Sequence, residues 1–251
     1  MQLSTTNWLH RLGYRSLDLL FPPSCLSCEA EIDQTSLDDT LCSDCRDELL
    51  ASPGPVCQRC GARVPEVSGA ALTCPRCEAD KVHFDATLSL GPYDGLLRDL
   101  ILRMKNDRSE QVGRMFARLI LEKRGDDLQQ MSIDCVVPIP MAPWRRLVRG
   151  TNPPEVIGRQ IAAKMGRSHF PHLLRCRRNS LPQHGLSRPG RFRNVRGQLH
   201  VARGYSLESP HILLVDDVLT TGATCSEAAR ILKKQGASRV TVLVVGRTSD
   251  A

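Results

Sequence analysis

An α/β fold with a mainly parallel sheet, preceded by a small cysteine-rich region, is what this sequence predicts, and three observations predict it. Apolar runs of strand length, such as Val136–Ile139 and Ile212–Val215, alternate with segments of helical period. The run before Asp216 is apolar without alternation, as in strands buried on both faces. Eight of the eleven cysteines lie in the first 77 residues as four CxxC pairs, and the apolar periodicity begins only beyond them.

The elements follow in order. "ATLSLGPYDG" reads as a strand and turn, and Leu96, Leu97, Leu100, Ile101 and Met104 recur at helical spacing directly after it. Val112, Met115, Phe116, Leu119 and Ile120 repeat that spacing in a second helix. "IDCVVPIP" is a β-branched run closed by prolines, a strand and its end. "EVIGRQIAAKM" is helical and stops at Gly166. Residues 170–203 give no clear period and read as loop and short strands. "HILLVDD" is a buried strand, "TCSEAARILKKQG" a helix stopped by Gly236, and "RVTVLVVGR" a last strand. Strands alternating with helices imply parallel βαβ units. The expected division is a cysteine-rich region over 1–80 and an α/β domain over 81–251.

Composition narrows the function. With 24% charged and 41% hydrophobic residues the chain is globular, and 4% aromatic residues argue against a base-stacking sheet of the RNA-recognition kind. The N-terminal stretch lacks the apolar core of a signal peptide, and no run approaches the ~18 apolar residues of a membrane span, so a cytoplasmic location is expected. Of the net charge of +7, the segment Arg145–Arg203 carries fourteen Lys/Arg against the single acid Glu155. An excess this local suggests an anionic ligand or partner: nucleic acid, phosphate or pyrophosphate.

The cysteines form an internal repeat. Cys25, Cys28, Cys42 and Cys45 recur 32 residues later as Cys57, Cys60, Cys74 and Cys77, with thirteen residues between the pairs in each half. Two thiolates on one tight knuckle can reach a single ion, and two knuckles complete a tetrahedral sulfur site, so two structural Zn²⁺ ions are expected. Iron–sulfur ligation and redox chemistry are the alternatives, and the spacing leaves open whether ligands pair within a repeat or across repeats. Cys135 and Cys225 read as packing residues.

The second chemical signal is "HILLVDDVLTTGATCSE". In open α/β sheets ligands sit beyond the carboxyl ends of the strands, where Asp216 and Asp217 lie. The loop after them leads to a helix N-terminus, an anion site. Thr220, Thr221 and Thr224 add hydroxyl donors, and Gly222 and Ala223 let a phosphate approach the backbone. Carboxylates beside phosphate donors suit a phosphorylated sugar, with Mg²⁺ bridging sugar and pyrophosphate.

"ILLVDDVLTTGAT" resembles the phosphoribosyl-pyrophosphate (PRPP) motif of type I phosphoribosyltransferases at every position. "DLLFPPSCLSC", the paired cysteines, "VVPIP" followed by "RRLVRGTN", and "LPQHGLSRPGRFRNV", in this order, resemble the ComF family over nearly the whole chain. That resemblance implies a double zinc ribbon joined to a phosphoribosyltransferase domain, with a role in DNA uptake and transformation. It implies that Asp216 and Asp217 contact the ribose and Mg²⁺, and that Thr220–Thr224 hold the 5-phosphate. Arg145, Arg146 and Arg149 fall where such enzymes bind pyrophosphate, and Lys105 survives from a basic stretch of relatives. Gln183, Gly185, Leu186, Arg188, Arg191 and Asn194 match a lid over the substrate. Two functions follow: a phosphoribosyltransferase of the glycosyltransferase class, or a competence module that keeps the fold to bind single-stranded DNA. Competence machinery proteins are expected partners of either; the sequence names neither an acceptor, a general base nor an oligomeric state.

Overall fold

The computed structural model describes residues 22–32, 40–52, 54–64, 74, 77, 82–106, 108–177 and 187–248. The chain divides into two compact units, 1–48 and 49–251.

In the first unit, Ser24 pairs with Glu31 in an antiparallel bridge around the Cys25–Cys28 knuckle. The Cys25 N–H donates to Ala30 O at 2.8 Å. Glu29 takes the left-handed conformation the knuckle needs, with φ 63°. The helix Ser43–Leu50 (α1) begins between Cys42 and Cys45. In the second unit the motif recurs at the same 32-residue offset: Val56 bridges Arg63, Cys57 N–H donates to Ala62 O at 2.8 Å, and Gly61 has φ 68°. The repeat in sequence is thus a repeat in backbone geometry.

The rest of the second unit is the expected α/β domain. Strands Ala86–Pro92 (β1), Cys135–Pro138 (β2), Ser168–His169 (β3), His211–Leu219 (β6) and Arg239–Arg247 (β7) form one parallel sheet in the order β1-β7-β6-β2-β3. Leu174–Cys176 (β4) and Leu199–Val201 (β5) form a separate antiparallel pair. Helices Gly95–Asn106 (α2), Gln111–Gln130 (α3) and Pro153–Met165 (α5) fall where the periodicity put them, as does Ala223–Lys234 (α7). The apolar run of β6 is buried from His211 to Val215, as is β7 from Val240 to Arg247. The α7 residues Cys225, Ala228, Ala229 and Leu232 pack on them, so Cys225 and Cys135 are core residues.

The 170–203 segment departs from expectation, because Arg188–Val195 (α6) is a helix. Only Phe192 and Val195 in it are large apolar residues, too few to show a period. What starts it is capping: Ser187 Oγ accepts from Gly190 N–H at 3.4 Å, and a proline sits in the first turn. A second short helix, Pro143–Arg149 (α4), replaces part of the expected pyrophosphate loop and is likewise opened by proline.

Edge strand β1 is covered on its outer side. Its Thr87 N–H donates to Gln58 O of the second knuckle at 3.0 Å, and Thr87 Oγ1 donates to Arg59 O at 2.7 Å. Lys123 and Arg124 of α3 donate to the carbonyls of Leu90 and Ser89, at 2.7 and 3.0 Å. Among the described residues, no helix is long and apolar enough to cross a membrane.

On α7, Glu227 is nearly buried and accepts two bonds from Arg230, at 2.7 and 2.8 Å, and one from Gly197 N–H at 2.8 Å. Burial raises its pKa, but these donors outweigh burial and leave it below the ordinary carboxylate value. A depressed pKa stabilises the fold above the unfolded value, and that stabilisation is lost as pH falls through the folded one. Glu227→Gln is therefore expected to cost about 1.5–3 kcal/mol at pH 7 in urea unfolding, and less at a pH below the folded pKa.

Candidate functional site

Two four-thiolate clusters are present, Cys25/Cys28/Cys42/Cys45 and Cys57/Cys60/Cys74/Cys77, with the sulfurs of each within 4.8 Å of one another. This settles the pairing left open by the spacing: each repeat supplies its own site. A tetrahedral site with Zn–S near about 2.3 Å has S···S edges of roughly 3.8 Å. The observed separations are 3.7 Å for Cys28–Cys42, 3.8 Å for Cys57–Cys77 and 3.5 Å for Cys60–Cys74. None of the cysteines is in a disulfide. Burial pushes the Cys57 thiol up, but N–H donors from Cys60, Cys74 and Arg59 overcome it and bring it down to about 7. The same balance brings Cys25 down to about 6. A lowered thiol beside three further sulfurs at tetrahedral spacing fits structural zinc.

The second candidate site is a cleft of about 290 Å³ at the carboxyl ends of β2 and β6. Pro138, the last residue of β2, lies opposite Val215, so Asp216 projects just past the neighbouring strand. Asp216, Asp217, Thr220 and Thr224 form one wall, and Arg145 and Arg149 of α4 form another. Cys176, Val195 and Leu199, from β4, α6 and β5, close a third side.

The two carboxylates differ. Asp217 pairs with Lys105 Nζ at 3.2 Å, both side chains mostly shielded, so the lysine noted in the sequence meets the acidic pair. Asp216 accepts from the Asp217 N–H at 2.9 Å and from Cys225 Sγ at 3.6 Å. Burial, reinforced by the Asp217 charge, pushes the Asp216 carboxyl up to about 8. A group poised this way gains from any cation or hydroxyl donor entering the cleft.

The loop after β6 turns directly into the N-terminus of α7. Gly222 has φ 78° and caps α7, and Thr221 Oγ1 accepts from Ala223 N–H at 3.4 Å. Thr220 Oγ1 accepts from Arg191 Nη1 of α6 at 3.4 Å, bringing one predicted lid residue to the loop. The other expected residues are placed differently. Arg146 turns from the cleft to Glu155, with bonds of 2.8 and 3.2 Å. Asn194 is on α6 but is not among the residues lining the cleft. Arg188 opens α6, while Gln183, Gly185 and Leu186 lie outside the described residues.

Two residues escaped the sequence reading. Buried Asn152 lines the cleft and donates from Nδ2 to Ile139 O at 3.2 Å, tying the two ends of the arginine-bearing segment together. Arg247, only 6% exposed, ends β7 and donates to Leu219 O and Thr220 O at 3.1 and 2.9 Å. Its signal was available: a cation closing an apolar run, as Asp216 is an anion closing one.

The double zinc ribbon domain family matches residues 16–78. The chain is 25% identical over 228 residues to competence protein F of Haemophilus influenzae, covering 89% of this chain and 96% of that protein. It is 29% identical over 217 residues to the DNA utilization protein YhgH of Salmonella typhimurium, covering 83% and 90%. It is 24% identical over 235 residues to competence protein ComFC of Bacillus subtilis, covering 84% and 89%. Among solved structures, adenine phosphoribosyltransferase of Leishmania tarentolae overlaps 64% of this chain and 91% of its own, at 12% identity and a TM-score of 0.37.

The chain thus combines a double zinc ribbon with an α/β domain built on a five-stranded parallel sheet. Over most of its length the chain is similar to these competence and DNA-utilization proteins.

Proposed function

We propose that this protein binds Mg²⁺–PRPP in the cleft and serves in the handling of incoming DNA. The observation that carries the reading is the convergence on one cleft of Asp216, Asp217, Thr220 and Thr224 with Arg145 and Arg149. The carboxylates match ribose hydroxyls and the sugar-bound cation, the α7 N-terminus matches the 5-phosphate, and the two arginines match pyrophosphate. In turnover, the cation would neutralise the departing pyrophosphate; Arg145 and Arg149 would hold that charge, and Thr220–Thr224 would fix the ribose. The role in DNA uptake is supported by the relatives named for competence and DNA utilization. A cytoplasmic location belongs to the same proposal, since thiolate-rich zinc sites persist where thiols stay reduced. So do the domain limits 1–80 and 81–251. Calorimetric titration with PRPP and Mg²⁺ tests binding, and pyrophosphate release in the presence of nucleobases or DNA tests turnover. Absence of any heat of binding removes the proposal.

A second reading, a single-stranded-DNA-binding module, is favoured by one surface. Trp144 is 53% exposed, with the Arg145 guanidinium 5.2 Å from its ring centre, beside the cleft. An exposed indole flanked by arginines offers a base a stacking face and its phosphate a charge. Trp144→Ala is expected to weaken oligonucleotide binding by about 1–3 kcal/mol, read by fluorescence anisotropy. Arg177→Glu, in the basic segment, is expected to weaken all sequences alike and flatten the salt dependence by about 0.7 per lost phosphate contact. Its neighbour Arg178, equally a candidate, lies outside the described residues. No binding at low salt removes this reading and leaves the small-molecule one.

A further inference from the structure

Arg247 joins two sites whose linked residues, Cys60 and Leu219, lie 159 residues apart in sequence. Its Nε donates to the carbonyl of Cys60, a member of the second thiolate cluster, at 2.8 Å. Its Nη1 donates to the carbonyls of Leu219 and Thr220, where the anion loop begins, at 3.1 and 2.9 Å, and to Thr248 O at 2.6 Å. The guanidinium is rigid and planar, so carbonyls bound at its two ends are held in fixed relation. We propose that Arg247 is a positioning residue through which the ligation state of the Cys57/Cys60/Cys74/Cys77 site sets the conformation of the Leu219–Thr224 loop. The part concerning PRPP rests on the binding reading above.

Each end of the link is mechanically defined. At the metal end, the Cys60 carbonyl cannot move independently of its thiolate. Gly61 N–H donates to Cys57 O at 2.8 Å, Cys57 N–H to Ala62 O at 2.8 Å, and Cys60 Sγ lies 3.5 Å from Cys74 Sγ. The knuckle also lies flat on Arg247: a Cβ built on Gly61 would stand 3.8 Å from Arg247 Cγ and 3.1 Å from Thr87 Cγ2. At the loop end, Thr248 N–H donates to Leu219 O at 3.1 Å, so the last residue of β7 and the one after it hold the same carbonyl. When the four sulfurs are no longer drawn to one ion, the knuckle relaxes. The buried guanidinium then loses a partner it cannot replace from water, and it shifts toward those that remain. The loop carbonyls move with it, and the threonine donors beyond them lose their register.

Linkage makes the coupling reciprocal. If zinc favours the ligand-ready loop, then ligand on the loop favours retention of zinc at that site, by the same factor. The first cluster, in the other compact unit, is the internal control.

The test uses the full zinc-loaded chain. Hydrogen exchange of the 219–224 peptide is measured without ligand in the parent, Cys74→Ser, Arg247→Met and Cys42→Ser, with the buried 212–215 strand as reference. Faster exchange at 219–224 in Cys74→Ser and Arg247→Met, with the reference strand and Cys42→Ser unchanged, is the expected result. Chelator-driven zinc release supplies the second arm. In equilibrium chelator competition, Mg²⁺–PRPP is expected to tighten zinc at one of the two sites by roughly five- to a hundredfold in the parent, the usual range of allosteric coupling, and not in Arg247→Met. A merely structural arginine would not produce that reciprocal effect. Should Arg247→Met not fold, Arg247→Lys and the chelator series on the parent give the same answer. Unchanged exchange at 219–224 in Cys74→Ser, while 57–62 loosens, overturns the inference. Failure of the parent to bind PRPP overturns the binding reading instead, and leaves the ligand-free exchange to decide the link.

Discussion

Changing Asp216 and Asp217 together to Asn is expected to weaken Mg²⁺-dependent PRPP binding by about a hundredfold or more, with the fold retained. Two carboxyl acceptors are lost, each worth about 1.5–3 kcal/mol once the entering cation has ionised and engaged it. Retention of the fold follows from their placement: both lie past Val215, where the fully buried run of β6 stops, and both are only partly buried. Lys105 loses its partner, which leaves a cation in the cleft and makes the result asymmetric. Free pyrophosphate should bind at least as well to the double variant as to the parent, whereas PRPP should not. Gly222→Val is expected to weaken PRPP through the loop instead. Its φ of 78° strains any β-branched side chain by about 1–3 kcal/mol, although Phe84, 3.5 Å from the new Cβ, leaves room for it. If the double variant binds PRPP as the parent does, the ligand sits elsewhere. Calorimetry with PRPP and pyrophosphate in parallel decides.

The second large effect is on metal. Two zinc ions per chain are expected by elemental analysis of the purified protein, and one in either Cys42→Ser or Cys74→Ser. The two losses should differ in consequence. Cys42→Ser should unfold the 22–45 region and leave the melting of the α/β unit unchanged. Cys74→Ser should destabilise the α/β unit itself, because carbonyls of the Cys57–Gly61 knuckle accept from Thr87, and the Cys60 carbonyl accepts from Arg247. Structural zinc supplies on the order of 10 kcal/mol to a ribbon, so even a small transmitted share shifts the transition visibly. Iron in the preparation, or sulfurs joined as disulfides, would refute the zinc reading. Equal melting of the two variants would refute the asymmetry.

The parts of the fold legible in sequence were those with a strong period or a spacing rule. The buried strands β6 and β7, the helices α2, α3, α5 and α7, and the cysteine repeat all fall in that class. Helices α4 and α6 were not legible, because prolines and a serine cap start them while arginine is the commonest residue in each. For the site, Asp216, Asp217, Thr220, Thr224 and two of the three arginines line one cleft. Arg146 does not, because Glu155 is close enough to pair with it, and nine residues of sequence separation gave no hint of that contact. Asn152 and Arg247 act through backbone carbonyls, and a carbonyl leaves no mark in the sequence. That is why the connection between zinc knuckle and loop becomes visible only in three dimensions.

The covered edge of β1 bears on solubility. A parallel sheet ending in an unpaired strand is an open invitation to another copy of itself. Here the Gln58 carbonyl meets the Thr87 N–H, and Lys123 and Arg124 cap the strand's carbonyls. Two of those three caps are side chains and survive loss of metal; the third is the zinc knuckle. Stripped of zinc, the chain would expose its edge amide with the apolar residues of β1 on either side. Copies would then add strand to strand. Chelation should therefore reveal itself first as turbidity and β-rich sediment, at protein concentrations where the metallated chain stays clear.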